Sequence, residues 1–416
     1  MITVEHGDCV EVLATLEANS VDAVITDPPY GIGFMRRQWD TFSPERVGAL
    51  ETRRERKVPA ARASARWPGK AGTRSQGGGV AVQYDESQSG NARFQEWCMN
   101  WASECLRVLK PGGHLLAFGG PRTEHRLACG IEDAGFVIRD KLLWLFGSGY
   151  AKSRNLCRCA QPEASGQAKH GWDVCAGCGG LIGLGTGLKP GWEPIVLARK
   201  RLSGTVGENV EAYGTGALNI AGCRLVGVGL ERWPSNVALD EIAAAALDDE
   251  VGPRRSGANP TRRGAAKHGQ VYGAFAGDVV IESARAGDVG GPSRFFYCPK
   301  VSSAERNAGL EEIPGVQVSD GRQAPADSPY LRAETRRRNH HPTVKPVALM
   351  RWLVRLVTPP AGLVVDPFAG SGTTGVACVL EGRSALLIER EAEYLPIIAG
   401  RVRHAEGPLF ASAGGE

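Results

Sequence analysis

Val21-Asp22-Ala23-Val24-Ile25-Thr26-Asp27-Pro28-Pro29-Tyr30 begins as one kind of structure and ends as another. Residues 21–26 form a short apolar run that suits a buried strand. The two prolines that follow forbid both a continuing central strand and an ordinary helix interior. The chain must leave the sheet as a stiff turn. That turn fixes Asp27, the Pro28 carbonyl and the Tyr30 ring at the carboxyl edge of a strand, where open α/β sheets bind ligands.

Such a corner suits chemistry on an exocyclic amine. The amine of adenine or cytosine is a poor nucleophile because its lone pair is delocalised into the ring. A carboxylate and a backbone carbonyl, each accepting one amine hydrogen, would draw the nitrogen toward a tetrahedral shape. An aromatic ring beside them offers a flipped base a stacking partner. An Asp-capped proline turn with no chemical role is the plainer alternative. The preceding strand and Tyr30 favour the functional reading.

The last eighty residues carry the second signal. Val347 to Val357 reads as an amphipathic helix stopped by Pro359-Pro360, and Leu363-Val364-Val365 as a buried strand. The strand runs into Asp366-Pro367-Phe368-Ala369-Gly370-Ser371-Gly372-Thr373-Thr374. A helix is expected through Leu380, then a strand from Ala385 to Ile388, then Glu389 and a final helix. Glycines between a strand and a helix let backbone approach a ligand and leave helix amides free. No Lys follows as in a P-loop, and the spacing is not GxGxxG. An acid ending the next strand sits where a doubly wound fold binds ribose hydroxyls. The Gly turn and Glu389 together form a nucleoside-binding pattern.

Between these ends the chain alternates. Met1 to Val4 and residues 21–26 read as strands around a short helix at Val10 to Leu16, an opening that points to a parallel sheet. Residues 36–92 lose periodicity and read as a long mobile loop. A helix runs from Phe94 to about Leu109, stopped by Pro111-Gly112-Gly113. His114 to Phe118 is a strand, Thr123 to Gly130 a helix, and Gly135 to Ile138 starts a further strand. Residues 151–290 are rich in Gly, Arg and Ser and weakly periodic, apart from a strand-like Pro194 to Ala198 and a helix-like Leu239 to Leu247. They read as an inserted module of loops and small sheets. Phe295 to Cys298 returns to strand character. The expected division is 1–150, 151–290 and 291–416, the outer two being halves of one catalytic domain.

The chain has 416 residues, 49 Lys and Arg against 45 Asp and Glu, and a net charge of +4. No stretch approaches the roughly 18 apolar residues of a membrane helix, and the N-terminus lacks a signal-peptide pattern. A cytoplasmic protein is expected. Basic residues crowd into Arg53 to Arg74 and Arg332 to Arg338, the footprint of a nucleic-acid binder or of a solvated arm. Eleven cysteines in such a chain are not read as disulfides. Cys9, Cys98, Cys105, Cys129 and Cys378 lie in periodic segments and read as small buried hydrophobes. Cys157-Arg158-Cys159 and Cys175-Ala176-Gly177-Cys178 are two close pairs suited to a four-thiolate structural zinc, with His170 able to replace one ligand. Metal binding would stiffen an insert without a core of its own. Leu188 to Pro194 flanks this module, and Trp192 within it could stack or wedge at DNA, packing beside the two prolines being the plainer reading.

These motifs together resemble the S-adenosylmethionine-dependent DNA amino-methyltransferases in the circularly permuted order called the β class. Asp27-Pro28-Pro29-Tyr30 is similar to the catalytic motif, Asp366 to Thr374 to the cofactor loop, and His341-Pro342-Thr343-Val344-Lys345-Pro346 to the segment before the cofactor helix. Gly7-Asp8 resembles the family's acid near the cofactor adenine. The resemblance covers about residues 1–35, 94–150 and 292–402. It implies an α/β fold, a seven-stranded Rossmann-like methyltransferase sheet, with the insert as target-recognition region or its scaffold. It implies that Asp27, Pro28, Pro29 and Tyr30 form the catalytic corner, with Asp27 and the Pro28 carbonyl holding the amine and Tyr30 stacking on the base. Asp8, Asp366, Pro367, Phe368, Gly370, Ser371, Gly372, Thr373 and Glu389 would hold S-adenosylmethionine, with Thr343 and Lys345 near its methionine end. Double-stranded DNA is the implied partner and a homodimer a candidate assembly. Asp at the first motif position leans toward adenine N6; cytosine N4 stays open, as do an RNA or protein amide substrate and a DNA-binding protein without turnover. No PD…ExK cluster suggests a nuclease.

Overall fold

The computed structural model describes residues 1–32, 88–147, 155–157, 159, 161–227, 230–256, 287–299, 304–318 and 335–407. Most of the expected 36–92 loop, the Arg53 to Arg74 cluster and part of Arg332 to Arg338 lie outside them. Residues 88–92 do not belong to a loop: they open the helix Gln88–Val108.

Eight strands form the main sheet: β1 (Ile2–His6), β2 (Val21–Thr26), β3 (Leu109–Phe118), β4 (Val137–Leu145), β5 (Trp192–Arg199), β6 (Val237–Leu239), β7 (Leu363–Asp366) and β8 (Ser384–Glu389). Their order across the sheet is β1-β8-β7-β2-β3-β5-β4-β6. Only β5 runs against its neighbours, pairing antiparallel with β3 and β4. The helices used below are α1 (Cys9–Ala14), α2 (Gln88–Val108), α3 (Glu124–Asp133), α4 (Val347–Val357), α5 (Thr373–Leu380) and α6 (Leu395–Glu406).

Strand period decides which face each residue serves. Ala23, Ile25 and Val364 point into one apolar layer with α4, α5 and α6, through residues such as Leu349, Leu353, Ala377 and Ile398. Val24 and Val365 point into the opposite layer with α1, α2 and α3. On α2, Phe94, Cys98, Trp101, Cys105 and Val108 recur at helical spacing and are all buried. Each such side chain contributes roughly 1.5–3 kcal/mol by leaving water. Every residue of β2 is buried, including Asp22. Asp22 is tolerated because its two oxygens accept from Lys110 Nζ at 2.6 Å and the Leu363 amide at 2.7 Å.

The C-terminal elements fall where the sequence predicts them. Several expectations are corrected. The sheet has eight strands rather than seven. Residues 192–199 and 237–239, expected within an insert, belong to the main sheet, β5 lying between β3 and β4. The apolar run at Pro194 to Ala198 was readable as a strand, but its partners are fifty or more residues away. The helix expected at Leu239 begins at Glu241, capped by Asp240. Phe295 to Cys298 is a 3-10 turn and an isolated bridge rather than a strand. Cys129 is exposed, whereas Cys9, Cys98, Cys105 and Cys378 are buried as expected, and all eleven thiols are free. No helix among the described residues is long and apolar enough to cross a membrane.

Candidate active site

β7 and β2 are parallel neighbours, with Val364 opposite Ala23 and Val365 opposite Val24. Both chains therefore leave the sheet at one edge, β2 into the proline corner and β7 into the glycine turn. Asp366 joins them. It is 3% exposed, and its Oδ1 accepts from Thr26 Oγ1 at 2.6 Å, across 340 residues of sequence. Its other bonds stay within the turn, from the Phe368 amide at 3.1 Å and Thr374 Oγ1 at 2.5 Å. Burial pushes the Asp366 carboxyl up to about 6, although these bonds pull it down. The residue expected to line a cofactor is thus also the strut between the two motifs.

The glycine turn is tightly specified. Gly370 (φ +54°) and Gly372 (φ +74°) are left-handed, a region glycine enters without strain. A Cβ on Gly370 would lie 2.9 Å from the His341 ring. The Gly370 amide donates to Glu389 Oε2 at 2.7 Å, and the Glu391 amide to Glu389 Oε1 at 2.8 Å. Burial raises the Glu389 carboxyl to about 7. Arg401 on α6 is 3% exposed and donates to the Ser371 carbonyl at 2.7 Å, Ser371 Oγ at 3.0 Å and Thr373 Oγ1 at 2.9 Å. Phe368 packs on Trp97 and Trp101 of α2, at ring distances of 5.4 Å and 5.5 Å. Asp8 follows β1, whose last residue His6 pairs with Glu389, and caps α1, accepting from the Val10 amide.

At the proline corner, Asp27 Oδ1 accepts from Tyr30 OH at 2.9 Å and Oδ2 from Lys345 Nζ at 2.5 Å. Thr123 Oγ1 donates to the Tyr30 carbonyl at 2.6 Å, tying the corner to α3. Thr343 sits beside His341, whose Nδ1 lies 3.0 Å from the Thr343 carbonyl. Burial lowers the His341 ring to about 4, so it is neutral near pH 7. β5, running opposite to its neighbours, brings its first residues to this same edge. Glu193 there lies 3.5 Å from Lys345 Nζ.

One cavity of about 1310 Å³ takes in both motifs. Asp8, Asp27, Pro28, Pro29, Tyr30, Thr343, Lys345, Asp366, Pro367, Phe368, Gly370, Ser371, Thr373 and Glu389 all line it, so nearly every catalytic and cofactor residue singled out in the sequence reaches one space. Gly372 is not among its walls; it forms the N-cap of α5. Trp192 lines the mouth and is half-buried. Thr26, Glu193 and Arg401 escaped the sequence reading. Thr26 adjoins a motif, but Arg401 is an arginine in an amphipathic helix, and no local pattern marks it as buried.

The sulfurs of Cys157, Cys159, Cys175 and Cys178 all lie within 4.8 Å of one another, Cys157 and Cys178 at 3.6 Å. A tetrahedron with zinc–sulfur arms of about 2.3 Å has edges of about 3.8 Å. The group could hold a metal ion. His170 is exposed and outside it. The run Gly149 to Ser153 beside the module is outside the described residues.

Comparisons with known proteins extend these observations. The type II methyltransferase M.HindIII of Haemophilus influenzae is 25% identical over 220 residues, covering 51% of this chain and 63% of that protein. The DNA adenine methyltransferase YhdJ of Escherichia coli is 39% identical over 69 residues, 17% of this chain and 24% of that protein. The alignments thus span less than two thirds of these relatives. Among solved structures, the PvuII DNA methyltransferase (cytosine-N4-specific) covers 96% of this chain and 86% of its own at 14% identity, with a TM-score of 0.45. A family model described as DNA methylase matches residues 21–201 and 247–400. Because that match runs through most of the chain, proline corner and glycine turn included, the chain belongs to the DNA methylase family.

Proposed function

We propose that the protein transfers a methyl group from S-adenosylmethionine to the exocyclic amine of a base flipped out of double-stranded DNA, adenine N6 being the preferred target. The observation that carries the reading is the Thr26–Asp366 hydrogen bond, which sets the glycine turn and the proline corner side by side in one cavity. The cavity's chemistry fits the cofactor. Glu389, buried and able to accept from hydroxyls, ends β8 where a ribose would lie, and Phe368 offers an aromatic wall. In this reading Asp8 accepts from the adenine amine, and Thr343 and Lys345 lie toward the methionine end. S-adenosylmethionine supplies an electrophilic sulfonium methyl when bound.

Asp27 and the Pro28 carbonyl accept the two amine hydrogens and direct the nitrogen lone pair toward the glycine-turn half of the cavity. Tyr30 holds Asp27 by its hydroxyl and turns its ring to the base. Phe118, Pro29 and Tyr30 keep the corner poor in water, which strengthens each hydrogen bond. The aspartate at position 27, and the resemblance built on it, favour adenine over cytosine.

Residues 155–191 serve, in this reading, as a target-recognition module stapled by zinc on Cys157, Cys159, Cys175 and Cys178, beside a catalytic domain formed from the two outer parts of the chain together with β5 and β6. A pairing of two copies belongs to the same reading and is checked by light scattering. The test of the function is direct. Unmethylated DNA is incubated with the protein and methyl-labelled S-adenosylmethionine, digested to nucleosides and analysed by mass spectrometry. Label on N6-methyladenine is expected. Label only on N4-methylcytosine moves the target, and label on RNA or protein but not DNA overturns the reading.

A further inference from the structure

We propose that Lys345 and Glu193 form a hand-over pair, in which Lys345 occupies the Asp27 oxygen that the target amine needs and Glu193 receives the ammonium when the amine arrives. The inference rests on the reading of Asp27 as the group that holds the amine. Both oxygens of Asp27 are engaged in this structure, Oδ1 by Tyr30 and Oδ2 by Lys345 at 2.5 Å. Each oxygen can accept a second bond, but an ammonium at 2.5 Å neutralises the Asp27 charge and crowds the approach of an amine to Oδ2. Tyr30 is held three residues away on the same stiff turn. Lys345 reaches across from the other side of the cavity on four rotatable carbons and is the group that can leave.

The ammonium is largely withdrawn from water. The Lys345 side chain is 7% exposed and faces the Phe118 ring at 4.8 Å and the Tyr30 ring at 5.7 Å. A buried ammonium without a counter-charge is strongly disfavoured. Glu193 removes that penalty: its Oε2 is already 3.5 Å from Lys345 Nζ, against 2.5 Å for Asp27. Nζ already lies within ion-pair distance of both carboxylates, so a rotation of the lysine end shifts its closer contact from Asp27 to Glu193. The two carboxylates also raise the Lys345 ammonium above its ordinary range, outweighing the burial that lowers it. The lysine therefore stays charged throughout and moves as a cation between two anions. Glu193 is rigidly presented, since it sits in β5 opposite Trp144. Its position at this edge follows from the reversed direction of β5. Once Lys345 has moved, Asp27 keeps its full charge for the amine.

Glu193 is accordingly a positioning residue, acting through Lys345. In Glu193→Gln the ammonium has only Asp27 as an anionic partner and stays there. KM for DNA is expected to rise about tenfold, with a smaller change in kcat. Glu193→Asp, which retains a charge, is expected to recover part of the loss. Lys345→Met removes the competitor, so adding Glu193→Gln to it should change KM no further. The same pattern is expected without cofactor, in fluorescence anisotropy with a duplex whose target base is unpaired. Additive effects in the double variant, or a Glu193→Gln protein with wild-type KM and affinity, overturn the hand-over. Wild-type methylation of DNA and its loss in Asp27→Asn are read in parallel. If either control fails, it is the underlying reading of Asp27 that falls.

Discussion

The glycine turn lines the large cavity, the cysteine module is joined to it by Leu188 to Gly191, and the two are held by opposite means. Around the turn nearly every polar atom is buried and bonded: Asp366 to Thr26, Thr374 and Phe368, Glu389 to Gly370 and Glu391, Arg401 to Ser371 and Thr373. Apolar layers above and below the sheet carry that network. In residues 155–191 the only buried side chains among those described are Cys157 and Cys175. The hairpin strand Ala164–Gln167 is exposed throughout. A segment with so little apolar burial cannot offset the entropy of ordering it, and needs a cross-link. The four thiols lie close enough together to hold a metal ion that would supply one. Precise positioning of a reacting group thus falls to the sheet, while the module presents a nearly all-exposed surface on a small rigid frame.

Perturbations should separate the two regions. Asp366→Ala leaves three donors without their acceptor, and the main melting transition should lose about 3 kcal/mol. It should also abolish methylation, because the strut between the motifs is gone. Differential scanning calorimetry and the labelled-methyl assay check both. Gly370→Ala should cost about 2 kcal/mol, since a left-handed backbone and a 2.9 Å approach to His341 both oppose the methyl group. S-adenosylmethionine affinity, measured by calorimetric titration, should fall with it.

A pH series addresses Glu389. Its carboxyl is raised from 4.5 to about 7 in the fold, so the folded state binds this proton more tightly than the unfolded chain. The stabilisation from protonation is complete below about 4.5 and is lost as pH rises through about 7. Thermal stability should decline over that window by up to about 3 kcal/mol, and Glu389→Gln should flatten the profile. Ligand hydroxyls donate to the ionised form, so S-adenosylmethionine affinity should rise over the same window.

Cys175→Ser, or treatment with a chelator, should have the smallest effect on the main transition, within about 0.5 kcal/mol. Metal analysis should fall from one zinc per chain toward none. DNA affinity should drop while S-adenosylmethionine affinity stays. A main transition that collapses with the metal would show that the module supports the sheet, and would erase the contrast between the regions.

Much of the working edge was legible because it is written locally. Residues 347–389 alternate periodic runs with prolines and glycines, and each element formed within a residue or two of the expected place. The same holds for β2 and the corner after it. What was missed was non-local. Pro194 to Ala198 announced a strand but not the sheet it would join, because strand pairing carries no mark of its partner's position along the chain. Arg401 and Glu193 belong to no motif, and their importance comes from what burial brings against them.

The amino-acid sequence alone determined the proline corner, the glycine turn and the four cysteines, since each depends on backbone limits or ligand chemistry within a few residues. Tertiary structure decided that the corner and turn are neighbours, that Asp366 is bonded to Thr26, and that Lys345 lies between Asp27 and Glu193. Those facts depend on the order and direction of strands in a sheet, which packing of the whole chain selects and no short stretch encodes.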